Sequence, residues 1–350
     1  MTKLTIHQLI DGASQRDAIT QNGLLWQRWL REAGHESEIY ALSITPDCAD
    51  LVRPWGSYRG EADRLLYHHS LGNRVVDDLI STHAAGLIPV YHNVTPPRWF
   101  AGAQPELAQR AADGIAQLKQ LAQAVSVGWG DSAFNCADME AAGFKTTHVV
   151  PITFDEKRYD SIKAIPPKGD AKGPLLLFTG RVAPHKCQAD LVRLLYACRQ
   201  IEPQTELLLI GSHWSKDYVD WVKYVADELG VLDGLHMPGS VSLEEMAGAY
   251  QAADVYVSLS EHEGFGMPLI ESMYFDLPVV AYRSTAVTDT LGGVGITVGR
   301  KDYASLAQLI IKLWRDGAWQ ERLVQAQRAR LHDFLEPQVK ARFFEVISGR

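Results

Sequence analysis

Apolar residues along this chain come in short unbroken runs separated by amphipathic stretches. That alternation of buried strands and surface helices builds a parallel sheet wound with helices. In the first half, residues 4–10, 38–42, 64–68 and 87–91 read as strands, with short ones at 124–127 and 148–150. Residues 18–33 and 105–124 carry a helical stripe, the first stopped by Gly34, and 73–82 reads as a further helix. The pattern breaks between Pro151 and Pro174, where prolines, glycines and charges gather, as expected of a connection between domains. A second series follows. Strands are predicted at 174–178, 205–210, near Leu235 and at 253–260, with helices at 188–201, 214–229 and 243–251. The chain closes with amphipathic helices at 304–316, 320–334 and 336–347.

The strand at 253–260 ends in an acidic turn, Glu261-His262-Glu263-Gly264-Phe265-Gly266, and Pro268 stands where a first helical residue would stand. Glycines let the backbone approach a ligand closely, and a helix start presents unpaired N–H groups to an anion. Glu263 lies in the turn and Glu271 eight residues later, about one turn into the helix. One carboxylate then faces a ligand at the helix mouth while the other reaches along its side. A nucleotide sugar needs that layout: hydroxyls to accept from, a diphosphate to cradle and a ribose to hold.

The Glu-x7-Glu spacing around Gly-Phe-Gly resembles the signature of retaining glycosyltransferases of family 4, which have the GT-B fold. Phe178-Thr179-Gly180-Arg181-Val182-Ala183-Pro184-His185-Lys186 is similar to the family's Gly-Arg and Lys loop. Leu235-His236-Met237-Pro238-Gly239-Ser240-Val241 and Leu277-Pro278-Val279-Val280-Ala281-Tyr282 resemble its next two strand segments. Their order and spacing match over residues 174–330. In the first half, Tyr91-His92-Asn93-Val94-Thr95-Pro96-Pro97 and Asp131-Ser132-Ala133-Phe134-Asn135 are similar to the family's cleft segments. The family's glycine-rich first loop is altered here, to Asp11-Gly12-Ala13-Ser14-Gln15-Arg16-Asp17-Ala18.

The resemblance implies an α/β protein of two Rossmann-like domains facing each other across a cleft. Residues 1–160 form an acceptor-side domain, 161–335 a nucleotide-sugar domain, and a final helix in 336–350 crosses back to the first. It implies that Arg181 and Lys186 hold the donor diphosphate as leaving group, Glu263 accepts from sugar hydroxyls and Glu271 binds ribose. Gly264, Phe265, Gly266 and Met267 offer backbone N–H groups, and Leu269, Gly180, Gly211, Ser240 and Val241 line the nucleotide. His92 is assigned to the donor sugar or departing phosphate, against the competing reading of a loop histidine satisfied within its own domain. Asp17, Asn93, Ser132 and Asn135 border the acceptor; Asp17, Ser132 and Asn135 also sit at loop-to-helix junctions, where each reads as a helix cap.

Composition narrows the rest. A net charge of −8 argues against a nucleic-acid groove. Cys48, Cys136, Cys187 and Cys198 fit no zinc spacing and read as reduced thiols. There is no signal-peptide pattern and no window of membrane-spanning length, so a cytoplasmic protein is expected. Peripheral contact with the inner face of the membrane rests on Arg98-Trp99-Phe100, whose competing reading is packing under the helix at 105–124. No Walker A, H-E-x-x-H, G-x-S-x-G or D-x-D pattern occurs, so no metal cofactor is expected. The expected reaction moves a hexose from GDP-mannose, or from a UDP-hexose, to a hydroxyl of a saccharide or lipid-linked saccharide of a bacterial surface polysaccharide. The alternatives are a nucleotide-sugar epimerase of the same fold and a non-catalytic nucleotide-binding partner subunit.

Overall fold

The computed structural model describes residues 3–102, 104–160, 162–167 and 173–349; residues 161 and 168–172 of the expected connection lie outside them. The chain divides into two units, one running to Thr153 and resuming at Glu336, the other spanning Phe154–Leu335.

The first unit is built on seven parallel strands: β1 (Ile6–Ala13), β2 (Ile39–Ile44), β3 (Arg53–Pro54), β4 (Arg64–His69), β5 (Leu87–Tyr91), β6 (Val127–Gly130) and β7 (Thr146–Val149). They lie in the order β3-β2-β1-β4-β5-β6-β7. Central β1 pairs Leu9 with Tyr40 on one side and with Tyr67 on the other. It is buried along most of its length, as a strand covered on both faces must be. The helix Ala18–Glu32 begins where Asp17 accepts the Thr20 N–H and lays Trp26, Trp29 and Leu30 on the sheet. The last helix, Glu336–Ile347, belongs to this unit because its apolar face has nowhere else to go. Phe343 packs on Trp26, Trp29 and Trp129 at ring separations of 4.9, 5.8 and 5.7 Å, and Glu336 accepts from Arg28 and the Trp29 indole.

The second unit carries six parallel strands: β8 (Leu175–Thr179), β9 (Glu206–Ile210), β10 (Leu235–Gly239), β11 (Val255–Ser258), β12 (Val279–Tyr282) and β13 (Ile296–Val298). Their order is β10-β9-β8-β11-β12-β13. The strand order reverses between β8 and β11, and that is the switch point at which open parallel sheets bind ligands, beyond the carboxyl ends of the strands.

Three sequence expectations shift. The strand expected at 124–127 is Val127–Gly130, because the helix Pro105–Ala124 keeps its full length and Gly-Trp-Gly is strand, not turn. Gly128 is needed there: a Cβ would lie 2.2 Å from the Met139 methyl of the covering helix Ala133–Ala142. The helix expected from residue 73 begins at Val76, since Asn73 spends its side chain on Tyr67 and on the Val75 N–H. Residues 154–160, expected in the first domain, belong to the second unit. Phe154 bridges to Leu335, and Tyr159 packs on Tyr274 and Phe275.

Candidate active site

In the second unit the loops after β8, β9 and β11 meet at the carboxyl end of the sheet. The loop after β8 opens with Gly180, whose N–H donates to Ile210. Gly211 follows β9 at φ 153°, and a Cβ there would lie 2.0 Å from the Gly180 carbonyl oxygen. Only glycine lets the two loops touch backbone to backbone. Arg181 is exposed and held by no ion pair among the described residues. Lys186 turns back onto the loop after β11, where its Nζ lies 2.5 Å from Glu263 Oε2 and 3.2 Å from the His262 carbonyl. The Glu261 N–H donates to the His185 carbonyl at 2.8 Å, tying the same two loops through backbone.

Glu263 is fixed from behind. Thr285 Oγ1 accepts its N–H and donates to its carbonyl, both at 2.8 Å. The helix Met267–Tyr274 starts from Gly266 at φ 93°. Met267 is its first residue, so Pro268 sits second, where its missing N–H is equally harmless. Phe265 and Leu269 are buried, Phe265 edge-on to Phe334, so their side chains serve the core. What residues 264–267 offer a ligand is backbone. The other lining candidates, Ser240 and Val241, follow β10 beside a cavity of 570 Å³ walled by Leu208, Ile210, Met237 and Ala249.

Glu271 is half-buried and accepts from Tyr250 Oη at 2.6 Å and Tyr159 Oη at 3.3 Å. Burial raises its carboxyl pKa, and the two phenols, with Arg158, pull against that rise. His185 is neutral: burial, reinforced by the Lys186 charge, lowers it to about 2. Cys187, Asp190 and Glu261 form the one close acid-and-thiol cluster of metal-ligand type among the described residues. Lys301 already supplies its cation, 2.8 Å from both Asp190 and Glu261.

The first unit gathers its own polar cluster at the ends of β4, β5 and β6. His92 is buried, with Nδ1 2.8 Å from Asp131 and Nε2 2.7 Å from His68, whose other nitrogen meets Gln8 at 3.1 Å. Both ring nitrogens of His92 are thus engaged inside the unit, which leaves neither for a donor sugar in this arrangement. Asn93, in the left-handed region at φ 68°, donates to Asn135 and Asp138. Ser132 caps the helix Ala133–Ala142 through the Asn135 N–H, and Asp17 caps the helix Ala18–Glu32. Each acceptor-side candidate therefore has a structural duty. Phe100 is buried and Trp99 half-buried, which favours the packing reading of Arg98-Trp99-Phe100 over an aromatic pair presented at a membrane surface. No described helix is long and apolar enough to cross a membrane.

Residues 161–330 match the family model described as glycosyl transferases group 1. This stretch belongs to that family. The chain as a whole has the GT-B fold: it is similar to the Anabaena protein HepE, solved with UDP and glucose, with a TM-score of 0.75 at 17% identity over 99% of this chain and 100% of that one. Among curated relatives, it is similar to O-antigen chain mannosyltransferase B of Escherichia coli, 29% identical over 41% of this chain and 38% of the relative. It is also similar to GDP-mannose:cellobiosyl-diphosphopolyprenol alpha-mannosyltransferase of Xanthomonas campestris, 31% identical over 37% of this chain and 34% of the relative. The chain thus spans between a third and two-fifths of the length of these curated relatives.

Within the second unit, Thr285, Tyr250 and Tyr159 are residues that sequence reasoning missed. Each reaches a motif glutamate from 21 to 112 residues away, and no local spacing signals them.

Proposed function

We propose that the chain is a retaining glycosyltransferase that moves a hexose from a nucleotide sugar to a hydroxyl of a saccharide, free or lipid-linked, in surface-polysaccharide synthesis. The observation that carries this reading is the meeting of Lys186, Glu263 and the glycine-led helix start of Met267–Tyr274 at the carboxyl end of the sheet, with Arg181 on the loop that bears Lys186. Two cations suit a diphosphate, and the positive end of a helix start adds to them. That set needs no metal. Lys186 is neutralised by Glu263 in the unliganded protein. An arriving diphosphate takes Lys186 over and frees Glu263 to accept from the sugar hydroxyls. As the bond from the anomeric carbon to the phosphate oxygen breaks, charge grows on the diphosphate, and the cations stabilise it there. The acceptor hydroxyl attacks from the face the leaving group departs, and a phosphate oxygen takes its proton. Configuration is then retained.

Mannose from GDP-mannose is the favoured donor, supported by the two mannosyltransferase relatives; a UDP-hexose is next, supported by the ligands of the Anabaena neighbour. A panel of GDP, UDP, ADP and dTDP in a thermal-shift assay tests this. Binding at a hundred times the dissociation constant adds about 2.7 kcal/mol to stability. A shift with GDP above the others is expected; a shift with UDP alone removes the mannose assignment.

A further inference from the structure

Glu271 already carries two phenol hydroxyls, and they are not equivalent. Tyr250 Oη lies 2.6 Å from Oε2, while Tyr159 Oη lies 3.3 Å from Oε1. A phenol has one hydrogen to give. Tyr250 gives it to the carboxylate, so its 2.7 Å contact with Thr179 Oγ1 must run from Thr179 to Tyr250. Tyr256 donates in turn to the Thr179 carbonyl at 3.3 Å. The result is a directed chain from Thr179 through Tyr250 to Glu271. Thr179 is the last residue of β8, directly before Gly180 and Arg181. The chain therefore ties the diphosphate loop to the second motif glutamate.

Packing separates the two tyrosines. Tyr250 is 1% exposed, and its ring stacks on Phe275 at 5.2 Å with an interplanar angle of 7°, so it has no room to swing. Tyr159 is half-buried just after the short turn Glu156–Arg158, and its bond to Glu271 is longer than the usual O–H···O range.

Resting on the proposed role of Glu271 as ribose acceptor, we infer that Tyr250 is a fixed positioning residue that aims the Glu271 carboxylate. Tyr159 is a placeholder, whose hydroxyl a ribose hydroxyl replaces at Oε1 when nucleotide binds. The two phenols then act with opposite sign. Losing Tyr250 Oη lets the carboxylate turn and weakens its grip on ribose. Losing Tyr159 Oη removes a competitor.

Calorimetric titration of the full chain with GDP and UDP, and with their 2′,3′-dideoxy counterparts, reads this directly. Tyr250→Phe is expected to weaken binding of the preferred ribonucleotide roughly tenfold or more, the size of a hydrogen bond to a charged group. The dideoxy nucleotide should change little, so the ratio between the two collapses. The KM for donor should rise while kcat at saturating donor holds. Tyr159→Phe should bind the ribonucleotide as tightly as wild type or tighter and leave the dideoxy nucleotide unchanged, so the ratio holds or widens. Thr179→Val, which removes the donor to Tyr250, should move in the direction of Tyr250→Phe and serves if that variant does not fold. A wild-type ratio in Tyr250→Phe and Thr179→Val overturns the inference, as does equal loss in Tyr159→Phe and Tyr250→Phe. Glu271→Ala separates the layers. If it leaves the ratio intact, the ribose reading itself fails; if it collapses the ratio while Tyr250→Phe does not, only the positioning role fails.

Discussion

Lys186 and Arg181 sit on one loop, yet the structure gives them different companions, and substitutions should reveal it. Arg181 is exposed and unpaired among the described residues, whereas Lys186 is 17% exposed and bonded to Glu263. Arg181→Ala is therefore expected to leave the melting temperature unchanged and to lower kcat about a hundredfold, or about 3 kcal/mol in barrier, because charge on the diphosphate grows only in the transition state. Lys186→Ala should lower kcat and also the melting temperature, since it strands a half-buried carboxylate. Glu271→Ala should raise the KM for donor with little change in kcat, as a ribose contact changes little during reaction. Steady-state kinetics with melting curves check all three; equal KM effects in all three with kcat untouched contradict the assignment. The motif residues were legible because Gly180 to Lys186 and Glu263 to Glu271 each lie on one loop or one helix turn, where spacing in sequence is spacing in space. Thr285, Tyr250 and Tyr159 were not, because their bonds to these glutamates cross from other elements.

At the scale of elements, the loops are held by close backbone approach. Gly211→Ala places a methyl group 2.0 Å from the Gly180 carbonyl oxygen in the loop after β8. That variant is expected to lose about 1–3 kcal/mol of stability and most nucleotide affinity together, measured by denaturant melts and titration. An alanine variant with wild-type melting and binding contradicts the close approach of the two loops. The end of β4 gives a pH signature. His69 is buried, donates Nε2 to the Gly114 carbonyl, and its pKa falls to about 4, burial outweighing the raising effect of that bond. The folded state holds it neutral, while an unfolded histidine takes a proton near 6.5. The stability it contributes is thus full above pH 6.5 and is lost as pH falls toward 4, about 3 kcal/mol in all. His69→Gln should flatten that part of the stability–pH curve; an unchanged slope contradicts it. Strand and helix types were readable from apolar runs and stripes. The exceptions were glycines that serve packing, as in Val127–Gly130, and the polar contacts among Gln8, His68, His92 and Asp131, which link β1 and β4 with the ends of β5 and β6.

At the scale of the whole chain, the residues proposed to bind the donor diphosphate and ribose all lie in Phe154–Leu335, and the family match falls within the same stretch. The first unit contributes a wound sheet sealed by the C-terminal helix, and its histidine cluster is turned inward. The two-unit plan was legible from the break in periodicity after Pro151. The boundary itself was not, because Phe154 and Tyr159 are placed by aromatic contacts with Tyr274 and Phe275 far along the chain. The central claim is that this chain breaks the bond between a hexose and a nucleoside diphosphate, using Arg181, Lys186 and Glu263. Released nucleoside diphosphate, measured with GDP-mannose and UDP-hexoses in the presence of saccharide acceptors, tests it most directly. Release from one donor that falls about a hundredfold in Arg181→Ala is the predicted result. Folded wild-type protein that binds a nucleoside diphosphate yet releases none from any donor, with acceptor or with water, would contradict it.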